Sequence, residues 1–210
     1  VVKFQVFQDG KSVESFALCG AYLFGTDGIS VRRTKIGFKK GYIECVRPNV
    51  ETAGLALLWP IKGFGRILLP TTCLPERDRP YNLNVEIVRA KLMQITNRRE
   101  DWSFFDEIEG MEGVAQQSRD LFIDAIQNIR DPEKASELAD ESLRKAMIYS
   151  EKLAVRQGKS LFDKRRKSHG FSRGCLGCRI DPTLMTKTAY VDRLAGLFAS
   201  VTVPVTSWLS

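Results

Sequence analysis

The period of the apolar residues changes once along this chain of 210 residues, and that change constrains the fold more than any other feature. Before residues 70–80 the apolar side chains come in short, strand-length runs separated by turn signals; afterwards they recur at helical spacing. Residues 1–7 alternate in part, and Gln8-Asp9-Gly10-Lys11 supplies a hairpin turn in which glycine tolerates positive φ. Residues 12–18 answer that first strand. Further short runs follow at 21–24, 29–38, 42–46, 54–59 and 64–69, punctuated by Asp27-Gly28, Lys40-Gly41, Arg47-Pro48-Asn49 and Lys62-Gly63. Short strands at regular spacing with turns between them predict an antiparallel β-sandwich or curled sheet over residues 1–80.

The loop at 70–80 is rich in proline, threonine and charge. Beyond it Asn82 can cap a helix reaching Asn97, with Val85, Val88, Leu92 and Ile95 on one stripe and Leu83, Ile87 and Ala90 beside it. So apolar a helix is expected to pack on two sides. Residues 101–113 read as an acidic connector, and residues 114–130 carry Leu121, Phe122, Ala125, Ile126 and Ile129 on one helical face. Asp131-Pro132-Glu133 is a helix start: a capping carboxylate, proline at the first helical position, then an acid near the positive end of the dipole. That helix either stops at Gly158 or runs on to Lys167, and with its predecessor it forms an αα-hairpin. Residues 81–170 are therefore a helical segment.

A third pattern begins at residue 171. Gly177-Cys178-Arg179-Ile180-Asp181-Pro182 reads as a short strand ending in a turn, residues 190–198 as a helix, and residues 200–205 as a second strand. Strand, helix and strand in so short a span predict a βαβ unit, and such a unit requires parallel pairing. The fold class expected for the whole chain is α+β.

Charge bears on partners. The formal net charge is +7, yet residues 101–143 hold 12 acidic against 3 basic side chains, and residues 144–167 hold 9 basic against 2 acidic. Consecutive helical blocks of opposite sign can face one another, which is a structural use of charge. Lys164-Arg165-Arg166-Lys167 can grip phosphates, but at a helix C-terminus it also complements the dipole, and no recognition-helix or RNA-binding motif accompanies it. No apolar run approaches the ~18 residues of a membrane span. The five cysteines are scattered and odd in number, and with no visible signal peptide they favour a reducing, cytoplasmic compartment; the chain opens at Val1 rather than Met.

Few residues carry chemistry. Cys175 and Cys178 have the spacing of half a zinc site or of a redox pair, but a structural zinc needs four ligands and the chain has one histidine, His169. A redox pair normally opens a helix, whereas this one precedes a strand. With a single histidine no Ser/His/Asp arrangement is located by spacing. Tyr22, Phe24, Tyr42, Trp59 and Phe64 can form a platform for sugar rings or fill the core of the β region, and Trp59 and Tyr22 are the candidates to stack on a ligand. No cofactor is expected, since no glycine-rich phosphate loop precedes a helix.

The tail resembles a known family. Leu176-Gly177-Cys178-Arg179-Ile180-Asp181-Pro182, then residues 190–194, then Phe198-Ala-Ser-Val-Thr-Val-Pro-Val-Thr-Ser-Trp208, is similar to the start of a family-ten glycoside hydrolase barrel, the endo-1,4-β-xylanases. Upstream, Gly-Leu-Ala-Leu-Leu-Trp at 54–59 and Arg-Pro-Tyr-Asn-Leu-Asn-Val-Glu at 79–86 resemble the extra N-terminal region of a bacterial, xylanase-like subgroup. The barrel resemblance covers residues 175–208. Where the family carries Glu-Asn-x-x-Lys-Trp, this chain has Val203-Pro204-Val205-Thr206-Ser207-Trp208, so only the tryptophan carries over. The resemblance implies a TIM-type barrel start at residues 171–210, with Asp181, Thr206 and Trp208 on the substrate face. It also implies that the catalytic glutamates lie on later strands, so that this chain alone is inactive. The β region then packs on the barrel or binds carbohydrate. A scaffold domain without a ligand and a basic nucleic-acid binder remain as alternatives.

Overall fold

A computed structural model describes residues 1–48, 51–102, 111–168 and 176–204. They fall into two compact units, Val1–Gln157 and Gly158–Ser210. The architecture is α+β: among the described residues there are four α-helices and several small sheets, none of them closed.

In the first unit the strands are β1 (Val2–Gln5), β2 (Phe7–Gln8), β3 (Lys11–Ser12), β4 (Tyr22–Phe24), β5 (Lys35–Lys39), β6 (Tyr42–Val46), β7 (Gly54–Ile61), β8 (Gly65–Pro70) and β9 (Tyr81–Asn82). They make a four-stranded sheet in the order β5-β6-β1-β9, a three-stranded sheet β4-β7-β8 and the hairpin β2-β3. Two tight turns follow the expected chemistry. Asp9-Gly10 (φ 48° and 73°) joins β2 to β3, and Lys40-Gly41 (φ 51° and 83°) joins β5 to β6. Positive φ at both central residues gives a turn twisted to match the strands it connects.

One pairing in these sheets is parallel where antiparallel pairing was expected. β9 pairs with β1 in parallel, Phe4 beside Tyr81 and Gln5 beside Asn82. The cause is local: these residues lead straight into α1 (Leu83–Asp101), and the Tyr81 ring rests 5.9 Å from that of Phe4, centroid to centroid. Asn82 then caps α1 by accepting from the Val85 amide at 3.3 Å.

The first half of α1 is buried on every side, from Leu83 through Val88. α2 (Glu112–Gln127) and α3 (Pro132–Ser168) form the expected hairpin, and α3 runs unbroken through Gly158. The Asp131 carboxylate opens α3 by accepting from the Lys134 amide at 3.2 Å. Where α2 and α3 cross, buried Ser118 and Ser142 each donate to the other's backbone carbonyl, at 2.9 and 2.6 Å. One apolar core joins both sheets to the helices, with Phe4, Ile43, Leu57, Ile87, Ala139 and Leu143 among its members. The β region and the helices up to residue 157 are therefore one compact unit, without the division expected at residue 80.

In the second unit β10 (Gly177–Arg179) and β11 (Ser200–Thr202) pair in parallel around α4 (Thr188–Leu197), in the strand–helix–strand order expected. Gly177 lies close against Ser200 across this pair, where a Cβ would require the Ser200 hydroxyl to turn away.

Candidate functional site

A cleft of about 790 Å³ in the first unit lies where the β2–β3 turn, the β7–β8 hairpin and α3 converge. Buried Phe7, Trp59, Ile61 and Leu143 form its floor, and charged side chains form its walls. Asn84, wholly buried in the first turn of α1, ties β2 to α3 beneath it. Its side-chain carbonyl accepts from the Phe7 amide at 3.3 Å, and its amide donates to the Phe7 carbonyl at 3.2 Å and to Asp140 Oδ1 at 2.9 Å. Every hydrogen of that amide is used, so its orientation is fixed from three directions.

Asp140 is the half-buried carboxyl at the centre. Burial raises its pKa to about 7; the Asn84 hydrogen bond opposes that rise, and the negative charge of Asp9 adds to it. Its helical neighbour behaves oppositely. Glu141 accepts two hydrogen bonds from Arg144, at 2.7 and 3.0 Å, which hold its carboxyl below the usual range. Glu137 lies directly against Gly10 and fills the space a Cβ there would need, and the φ of 73° at Gly10 independently favours glycine. The cleft thus places a carboxyl that exchanges its proton near neutrality beside one that stays ionised, a difference set by surroundings alone.

Sequence reasoning missed this cleft. The spacing of Glu137, Asp140 and Glu141, at i, i+3 and i+4, marks one helix face and was a usable signal. The approach of Asp9 and Asn84, from distant positions, carries no local signal.

The residues picked from the sequence are placed apart. Trp59 is 2% exposed, with its ring 5.6 Å from that of Phe16, so its indole belongs to the core beneath the cleft. Tyr22 is 40% exposed and pairs with Ala56 across β4 and β7. Trp59 stands three residues beyond Ala56 on β7, hence on the opposite face from Tyr22. The two do not form a joint platform. Asp181 caps the 3₁₀ turn at Pro182–Leu184, accepting from the Thr183 amide at 3.0 Å and the Thr183 hydroxyl at 2.7 Å. Those bonds lower its pKa. Its own amide donates to the Tyr190 hydroxyl at 3.0 Å. Thr206, Trp208, His169 and Cys175 lie outside the described residues. Cys178 sits half-buried on β10, and no group of three or more His, Cys, Asp or Glu side chains among the described residues is placed to hold a metal ion.

No family model, curated protein or solved structure matches the chain. No described helix is long and apolar enough to cross a membrane.

Proposed function

We propose that this chain is the non-catalytic N-terminal region of a xylanase-like glycoside hydrolase, whose full-length parent hydrolyses O-glycosyl bonds. The observation that carries the reading is the parallel pairing of β10 with β11 across α4, the connection from which a TIM-type barrel is built. Both strands and α4 are largely exposed: α4 contributes no buried residue, Leu197 is 67% exposed and Val201 52%. Parallel strands are ordinarily covered on both faces, so exposed ones suit a sheet that continues with further strands. In that barrel Asp181, which follows β10, lies at the C-terminal end of a strand, where substrate binds. Trp59 is buried in the core of the β region, so it is assigned no role in stacking on sugar.

Retaining hydrolysis needs two carboxyls about 5 Å apart across the scissile bond, with an open subsite between them. The carboxyls around Asp140 rest on a floor of buried core side chains with no exposed aromatic to hold a sugar ring. Hydrolysis is therefore assigned to later strands. The test compares residues 1–210 with the full reading frame on xylan and on an aryl β-xyloside. Release of reducing ends by the full frame alone is the expected result. Hydrolysis by residues 1–210, or by neither protein, overturns the reading.

A further inference from the structure

The charges around the Asp140 cleft sort by the element that carries them. On α3, Arg144 holds Glu141 through two hydrogen bonds and Lys145 lies 3.6 Å from the same carboxylate, so these three groups are paired among themselves. Two cations remain, Lys62 and Arg66, both on the β7–β8 hairpin. Three carboxyls remain: Asp9 on the β2–β3 turn, with Glu137 and Asp140 on α3. Among the described residues none of these five groups has an ion-pair partner within 4.0 Å. Unpaired cations thus occupy one wall of the cleft and unpaired carboxyls the others, over an apolar floor, in a volume typical of sites for small ligands.

We propose that this cleft binds a short peptide through its two termini, the ammonium among Asp9, Glu137 and Asp140 and the carboxylate between Lys62 and Arg66. The chemistry of each wall fits. An ammonium has three donors and no acceptor, so three carboxyls can satisfy it. A carboxylate matches the planar fork of arginine, which binds it bidentately. A ligand lacking either charge leaves one wall unpaired, so recognition requires both ends. Burial and then the charge of Asp9 raise the Asp140 carboxyl, and a bound ammonium would favour its ionised form. The cleft volume exceeds what one amino acid fills, while three residues extend about 10 Å. The proposal rests on the charge layout of this cleft and is independent of the glycoside hydrolase reading.

The test is titration calorimetry on residues 1–210 with trialanine, N-acetyl-trialanine, trialanine amide and free alanine. Trialanine is expected to bind, and blocking either terminus is expected to weaken binding tenfold or more. Arg66→Ala should weaken trialanine tenfold yet leave the residual binding of the amide unchanged. Glu137→Gln should weaken trialanine while sparing the N-acetyl peptide. Both side chains are exposed, and melting curves check that the fold survives; Lys62→Ala gives the same readout if the Arg66 variant does not fold. Absence of heat with trialanine at millimolar concentration, equal binding of blocked and free peptides, or an unchanged affinity in Arg66→Ala overturns the proposal. Alanine binding as tightly as trialanine overturns its assignment to a peptide.

Discussion

Asp140 shows how much one position depends on its surroundings. Its pKa of about 7 exceeds the ordinary 3.8, so between those values the folded protein binds a proton that the unfolded chain has released. Its contribution to stability therefore falls as pH rises from about 4 to 7 and is flat above. Asp140→Asn keeps an acceptor for Asn84 and removes the charge. The substitution is expected to raise the melting temperature by about 3–5 °C above pH 7, equivalent to roughly 1–2 kcal/mol after allowing for solvent screening at a half-buried site. The gain should shrink towards pH 4. Melting curves across pH decide it, and identical curves for the two proteins would count against a carboxyl strained by burial. Gly10 is constrained twice, by a φ of 73° and by Glu137 lying against it. Gly10→Ala is expected to cost about 1–2 kcal/mol from the backbone alone. Because the added methyl also displaces Glu137, Glu137→Ala in the same chain should recover part of the loss, measured as a coupling in a double-mutant cycle.

At the scale of elements, helix starts were legible because capping is local chemistry. Asn82 and Asp131 each accept from an amide three residues on, as their positions before apolar repeats foretold. Asp131→Ala is expected to lower stability by about 1 kcal/mol, read from denaturant midpoints at constant slope. The hairpin turns were legible for the same reason, since Asp9-Gly10 and Lys40-Gly41 meet a steric demand inside four residues. The α2–α3 crossing was not. Its two reciprocal serine hydrogen bonds need Ser118 and Ser142 to meet across 24 residues, and neither serine stands out in the sequence. Small side chains let the backbones approach there, so Ser142→Leu should destabilise by about 1–3 kcal/mol through overpacking, and Ser142→Ala by about 1 kcal/mol through lost hydrogen bonding. If both variants unfold at the same denaturant concentration as the parent, the crossing does not constrain the fold.

Across the whole molecule, burial is uneven. Ala135, Ala139 and Leu143 of α3 are all but inaccessible, whereas α4 buries no residue. Opening free energies follow buried contacts. Hydrogen exchange is therefore expected to be orders of magnitude slower at residues 139–143 than at 188–197, and equal protection of the two would refute that ordering. The sequence by itself determined the change from β to helix near residue 80, the turns, the helix caps and the strand–helix–strand order of the tail. All of these depend on contacts within a few residues or on a periodic apolar face. Only the tertiary structure decided that the β region and helices share one core and that β9 lies parallel to β1. It also decided that Trp59 and Tyr22 face opposite ways, and that Asp9, Asn84 and Asp140 meet at one cleft. Those outcomes join residues up to 131 positions apart, from Asp9 to Asp140, and no short-range pattern encodes which distant surfaces come together when apolar area is buried.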